Sequence, residues 1–96
     1  MITVLAKLPI QPDLREKFAT GIVPTILGRK PDGNLSVECF ESVASPGDFL
    51  LKTVWESEEA QQAWQRSDVF QDAVAELADF LAGPWVVQRF APVAVA

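Results

Sequence analysis

The sequence predicts an α+β domain in which one four-stranded antiparallel sheet carries helices on a single face. Three observations point there. Runs at residues 2–9, 34–43, 49–56 and 85–90 suit strands, with side chains that alternate between two faces. Between them, apolar residues recur every three or four positions, the period of a helix. The order that results is β-α-β-β-α-α-β, with no repeat, low-complexity tract or linker, so residues 1–96 read as one domain.

In the first strand, 2–9, Ile2, Val4, Ala6 and Leu8 share one face and Thr3, Leu5 and Lys7 the other. Pro9 and Pro12 end it, and Pro12 suits the first turn of a helix, where its missing N–H is not needed. The helix that follows carries Leu14, Phe18, Ile22 and Ile26 at a spacing of four, with Val23 and Leu27 widening the stripe. Asp13 and Lys17 add a well-oriented i,i+4 pair. Gly21 and Pro24 are poor in a helix interior, Pro costing roughly 3 kcal/mol there, so a kink or break is expected near Thr20–Pro24. Gly28 is a candidate C-cap, and Pro31-Asp32-Gly33 a turn.

The second strand, 34–43, sets Leu35, Val37 and Cys39 on an inner row against Asn34, Ser36, Glu38 and Phe40 on an outer one. Ser45-Pro46-Gly47-Asp48 turns the chain into the third strand, 49–56. Ser57 then caps a short helix whose first turn holds Glu58 and Glu59, where the helix dipole favours acids. The last helix starts at Ser67-Asp68, with Asp68 as N-cap and Gln71 completing a capping-box variant. Phe70, Ala73, Val74, Leu77 and Leu81 line one side of it, and Gly83-Pro84 stops it before the final strand, 85–90. This order places the domain among ferredoxin-like arrangements.

A lone antiparallel sheet covered on one side should show water a polar face. These strands are apolar on both. Leu5 lies opposite Val4 and Ala6; Leu50 and Val54 lie opposite Phe49, Leu51 and Trp55; Val86 and Phe90 lie opposite Trp85 and Val87. A second copy of the chain is therefore expected over the uncovered face, as a homodimer.

Composition excludes several classes. A net charge of −5 with scattered basic residues does not suit nucleic acid. No apolar run reaches the ~20 residues of a membrane span, and the N-terminus lacks a basic region and cleavage site, so a cytoplasmic protein is expected. The single Cys39 can form no internal disulfide and reads as a small buried hydrophobe. There is no His and no Tyr, which removes the usual general base, haem ligand and commonest zinc ligand, and any phenol that could relay a proton. No phosphate loop, dinucleotide fingerprint, Cys-x-x-Cys pair or carboxylate metal cluster is present, so no cofactor and no metal are expected.

The stretch 52–70 contains Trp55-Glu56-Ser57-Glu58-Glu59-Ala60 and, further on, Ser67-Asp68-Val69-Phe70. Together these resemble the signature of the antibiotic-biosynthesis-monooxygenase (ABM) family of small dimeric α+β barrels, Trp-Glu-Ser-x-x-Ala followed by Ser-x-x-Phe. The resemblance spans nearly the whole chain. It implies two sheets packed face to face, with the C-terminal strand and the apolar tail 91–96 reaching to the partner. It also implies a ligand pocket between sheet and helices, lined here by Leu51, Thr53, Trp55, Trp64, Phe70 and Val74, with Trp55 the candidate catalytic residue. Cofactor-independent members act on aromatic quinols and carry an asparagine where this chain has Leu51. The haem-degrading branch shares the Trp64 and Ser-Asp-Val-Phe pattern, but it places a histidine where this chain has Val74 and an asparagine near Leu5. Without histidine, haem degradation is not expected.

The residues themselves leave two readings of Trp55, core anchor or pocket wall, and two of Trp64, pocket lining or helix–sheet packing. Thr53 shares a strand face with Leu51 and Trp55 and could offer a hydroxyl. Asn34, Ser36, Arg66 and Arg89 are the other polar candidates, and Lys7 or Lys52 would assist deprotonation if one faced the pocket. Glu38 is the expected partner of a strand lysine. Two functions follow. One is a cofactor-independent monooxygenase of a small aromatic, quinol-like substrate. The other is a non-catalytic small-molecule-binding or regulatory dimer of the same fold.

Overall fold

In the computed structural model, which describes residues 1–94, four strands form one sheet: β1 (Ile2–Pro9), β2 (Asn34–Glu41), β3 (Asp48–Trp55) and β4 (Val86–Phe90). They lie in the order β2-β3-β1-β4, and every neighbouring pair is antiparallel. A helical run over residues 12–28 (α1) and the helices α2 (Glu58–Gln65) and α3 (Asp68–Ala78) cover one face. The expected order and architecture are thus observed. Residues 91–94 have no regular structure; the rest of the tail expected to reach a partner, 95 and 96, lies outside the described residues.

α1 is broken where its sequence demands it. It opens with a 3₁₀ turn, Pro12–Leu14, and passes through a π-helical segment, Phe18–Ile22, before closing as Val23–Gly28. Pro24 has no N–H, and its ring would meet the carbonyl four residues back in a regular α-helix. Widening the helix just before it avoids that clash, with the Val23 N–H reaching five residues back to the Phe18 carbonyl. The helix ends at Gly28, and Arg29 turns into extended backbone, so Gly28 is the last helical residue and not a left-handed cap.

The widened segment delivers Phe18 to the centre of the core, where it is fully buried with Leu8, Ile10, Phe49, Leu77 and Phe80. Its ring meets Phe49 edge-on at 4.8 Å between centroids and lies 5.8 Å from Phe80. Burial of a side chain of this size stabilises by roughly 1.5–3 kcal/mol. Ala6 and Leu8 of β1 form the sheet side of this cluster because they alternate with Leu5 and Lys7, which point the other way.

Three details differ from the sequence expectation. A bulge between Asn34 and Ser36 pairs Asn34 with Trp55 and turns it to the helix-covered face, whereas Leu35, assigned to the inner row, is 56 % exposed. The N-cap of α3 is Ser67, not Asp68. Its Oγ accepts from the Phe70 N–H at 3.2 Å and donates to the Trp64 carbonyl at 2.6 Å, so the closer serine joins two helix ends with one hydroxyl. Finally, α3 stops at Ala78, and Leu81 leaves the helix to bridge Ile10, held by the bond from the Ala82 N–H to the Pro9 carbonyl.

Gly33, at φ 80°, is needed in the 31–33 turn: a Cβ there would lie 2.5 Å from the Ala60 Cβ, so only glycine lets α2 approach. At the other end of the sheet, Arg15 of α1 forks onto Glu41, Nε to Oε2 at 2.8 Å and Nη2 to Oε1, while the Gly47 N–H donates to Oε2 at 3.0 Å. The hydrogen bonds from Arg15 and then Gly47 hold the Glu41 carboxyl down at about 2. Because the folded value lies below the ordinary one, ionised Glu41 stabilises the fold at neutral pH, and this contribution is lost as pH falls toward about 2. The stability difference between the wild type and Glu41→Gln, from urea unfolding, is expected to be constant near neutrality and to shrink across that acid range. A difference indifferent to pH would show that the ionised carboxylate contributes nothing.

Candidate functional site

β3 runs down the middle of the site. Its alternation sets Leu51, Thr53 and Trp55 beneath the helices and turns Leu50, Lys52 and Val54 to the opposite face. Opposite them, α3 presents Phe70, Ala73, Val74 and Leu77, positions i, i+3, i+4 and i+7 of one helical stripe. Ile22, Thr25 and Ile26 of α1 close a third side. Arg29, Pro31 and Asn34 come from the connection to β2, and Trp85 from the segment before β4. Together they enclose about 110 Å³. All six residues expected to line a pocket, Leu51, Thr53, Trp55, Trp64, Phe70 and Val74, are brought around this one cavity.

One wall is an aromatic ladder. Trp55 stacks on Trp64 with ring centroids 6.3 Å apart and 29° between planes, and Phe70 meets Trp64 edge-on at 5.9 Å. Trp55 is only 2 % exposed and also lines the cavity, so anchoring the core and walling a pocket are not alternatives for this residue. Its Nε1–H donates to the Thr53 Oγ1 at 2.9 Å, which leaves the threonine O–H free to act as a donor.

Asn34 supplies the complementary acceptor. Its Nδ2 donates to the Ser36 and Val54 carbonyls, both at 3.1 Å. Two carbonyl partners can be served only by the amide nitrogen, so the amide orientation is settled and Oδ1 has no donor among the described residues. Sequence reasoning set Asn34 on the outer row because strict alternation ignores a bulge. It did name Asn34 as a polar candidate, whereas Arg29, Glu76 and Trp85 were missed. Gly83-Pro84 was a signal for Trp85, since it delays the start of the strand and takes the indole out of the sheet. Nothing in the sequence marked Arg29 or Glu76.

The remaining candidates lie elsewhere. Lys7 and Lys52 share the uncovered face of the sheet, Lys52 Nζ lying 3.8 Å from Glu38 Oε1, so neither reaches the cavity. Arg66 is exposed, and Arg89 donates to the Oε1 of the buried Gln61. Ser36 points away from the helices. Cys39 packs against the core, where burial pushes its thiol up and away from the reactive thiolate. Among the described residues, no three His, Cys, Asp or Glu side chains are grouped so as to hold a metal ion. Chemically, the cavity offers flat apolar surface, the free Asn34 Oδ1 acceptor, the free Thr53 hydroxyl hydrogen and the charged side chains of Arg29 and Glu76.

The sequence profile of the antibiotic biosynthesis monooxygenase family matches residues 1–76, most of the chain. The protein belongs to this family. Solved structures agree in fold over its full length. One that bears the family's name, from Deinococcus radiodurans, superposes with a TM-score of 0.86 at 16 % identity, over 100 % of this chain and 96 % of that one. A protein from Mycobacterium tuberculosis gives 0.84 at 24 % identity over 99 % and 97 %. Another that bears the family's name, from Caulobacter crescentus, gives 0.83 at 22 % identity over 97 % and 90 %. No curated protein matches the chain. In this ABM protein the ferredoxin-like α+β fold is therefore shared with its neighbours, and the cavity lies between the sheet and the helices.

The Thr53–Trp55 bond gives the ladder a checkable weakness. Replacing Thr53 by valine keeps the shape and leaves a buried indole N–H without an acceptor, which costs about 1–3 kcal/mol. Urea unfolding of Thr53→Val is expected to show a loss of that size. A loss below about 0.5 kcal/mol would mean that the indole finds another partner.

Proposed function

We propose that this ABM protein is a cytoplasmic, homodimeric monooxygenase that acts on a small aromatic, quinol-like substrate without a cofactor. The observation that carries the reading is the cavity wall of Trp55 and Trp64, joined by Phe70, which gives a flat ring an apolar face to lie on. The family's name supports oxygen insertion as the reaction.

The chemistry balances without an external reductant. A hydroquinone C₆H₆O₂ and O₂ give a hydroxyquinone C₆H₄O₃ and H₂O. One oxygen atom enters a ring C–H and the other leaves as water. Conversion of C–H to C–OH supplies two electrons, and oxidation of the quinol to the quinone supplies two more, so all four that reduce O₂ come from the substrate. The phenolate form is the electron donor, and its proton passes to solvent. The protein excludes water, holds the ring and biases the hydroxyl. Asn34 Oδ1 accepts from one substrate O–H, and the Thr53 hydroxyl donates to a phenolate or peroxide oxygen. Trp55, locked by Thr53 and Trp64, sets the ring plane.

Oxygen uptake by the metal-free protein with a panel of single-ring quinols, corrected for autoxidation, tests this reading. Catalysed uptake with an oxygenated product is expected, falling at least tenfold in Trp55→Ala; a Trp55→Phe variant, which keeps an aromatic face, guards against loss of folding. Background rates from folded wild type would sink the reading. They would favour a non-catalytic binding dimer, an alternative suggested by Leu51, which fills the place of the asparagine in the resembled quinol oxygenases, and by the absence of a lysine or histidine from the cavity wall.

The dimer part rests on the uncovered sheet face. Leu5, Phe40, Leu50, Val54, Val86 and Phe90 point there, and Phe40, Val86 and Phe90 stay about half exposed in the single chain. Light scattering is expected to give twice the 10.5 kDa chain mass, and Phe40→Glu, which alters an exposed position, is expected to give the monomer. A Phe40→Glu dimer as tight as wild type would place the interface elsewhere.

A further inference from the structure

The cavity has one cationic side chain. Of the eight basic residues in the protein, Arg29 alone lines it. Several of the others are occupied: Arg15 by Glu41, Lys52 by Glu38 and Arg89 by Gln61. The Arg29 guanidinium makes no ion pair and no hydrogen bond among the described residues. Its backbone, in contrast, is fixed. The Arg29 N–H closes α1 on the Ile26 carbonyl at 3.2 Å, and extended angles then carry the chain into the tight turn before Asn34. Arg29 is thus a half-buried, uncommitted arginine beside an apolar cavity, in a chain of net charge −5.

Size narrows what can lie beside it. About 110 Å³ is below the roughly 300–1,000 Å³ of pockets for drug-sized ligands, and near the roughly 150 Å³ that holds benzene. One ring suits the space and three fused rings do not. Arg29 and Asn34 flank the same turn, in which the Asn34 N–H bonds the Pro31 carbonyl at 3.0 Å, and both residues line the cavity. Glu76, on α3, brings a negative charge to the rim. It forms no ion pair with Arg29 and is exposed, where water and salt screen it more than they screen the half-buried guanidinium.

We propose that Arg29 selects single-ring phenols that carry an anionic substituent, with a carboxylate or equivalent anion held at the guanidinium and a neighbouring hydroxyl at Asn34 Oδ1. This rests on the cavity being the aromatic site of the proposed function, and it adds the substrate class and the residue that reads it. Arginine suits the task because its planar fork meets both oxygens of a carboxylate at once.

The test is calorimetric titration of anaerobic wild-type protein and R29Q with 2,5-dihydroxybenzoate and with methylhydroquinone, in which a methyl group replaces the carboxylate. Wild type is expected to prefer the carboxylate by about tenfold, the size of a charge-assisted hydrogen bond in a half-exposed site. R29Q is expected to lose that preference, the ratio of the two affinities falling to about one. If wild type binds the two equally or prefers methylhydroquinone, or if R29Q keeps the preference, Arg29 does not read the anion and the ring site still stands. If neither compound binds wild type, the aromatic site itself fails and this inference fails with it.

Discussion

A strand can aim its side chains in only two directions, and on β3 that limit decides most of what surrounds it. With Phe49 drawn into the core by Phe18, the residues two, four and six places on, Leu51, Thr53 and Trp55, must lie on the same side. The indole of Trp55 is too large to bury without company, so α2 brings Trp64 over it and α3 follows with Phe70. Ser67 ties the end of one helix to the start of the next through a single hydroxyl. The cavity is the space left where these large rings meet the slighter side chains Ala73, Val74 and Thr53.

The same alternation loads the other face. Each inward residue on β1, β3 and β4 has an outward neighbour, and too many of those neighbours are apolar for a surface that meets water alone. Lys7 and Lys52 sit among them, Lys52 beside Glu38. Their charged heads can reach water while their long stems lie along the apolar surface. One strand period thus accounts for a cavity on one side and a partly exposed apolar surface on the other.

The cavity is poor in conventional chemistry and specific in its polar placements. It has no imidazole, phenol or lysine. Its polar atoms come in settled orientations, because Asn34 is pinned by two carbonyls and Thr53 by the Trp55 indole. A site of this kind does little to drive proton transfer. The proposed substrate, a quinol that carries its own electrons, asks of the protein only a shaped surface and a few fixed hydrogen bonds.

Much of this was legible in the chain. Strand periods, the helix break before Pro24, the turn at Gly33 and the Ser57 cap follow from local rules that operate within a few residues, and the Trp55-Glu56-Ser57 and Ser67-x-x-Phe70 segments carried the family. The six expected lining residues were implied by the family resemblance, with Thr53 supported as well by its place on the same strand face as Leu51 and Trp55. Local rules could not show the bulge at Asn34, since whether a strand gains a residue depends on its partner's register. They also could not give the choice of Ser67 over Asp68 as cap, or the cavity positions of Arg29 and Trp85, which sit at element ends where no period applies, or of Glu76, an exposed residue beside Leu77 on α3. Residue pattern by itself determined the layers, because strand and helix periods repeat along the chain, while the joining of Trp55, Trp64 and Phe70 into one wall came from the packing. Only the tertiary structure decided which polar groups reach the cavity, because that depends on how separate elements close around it.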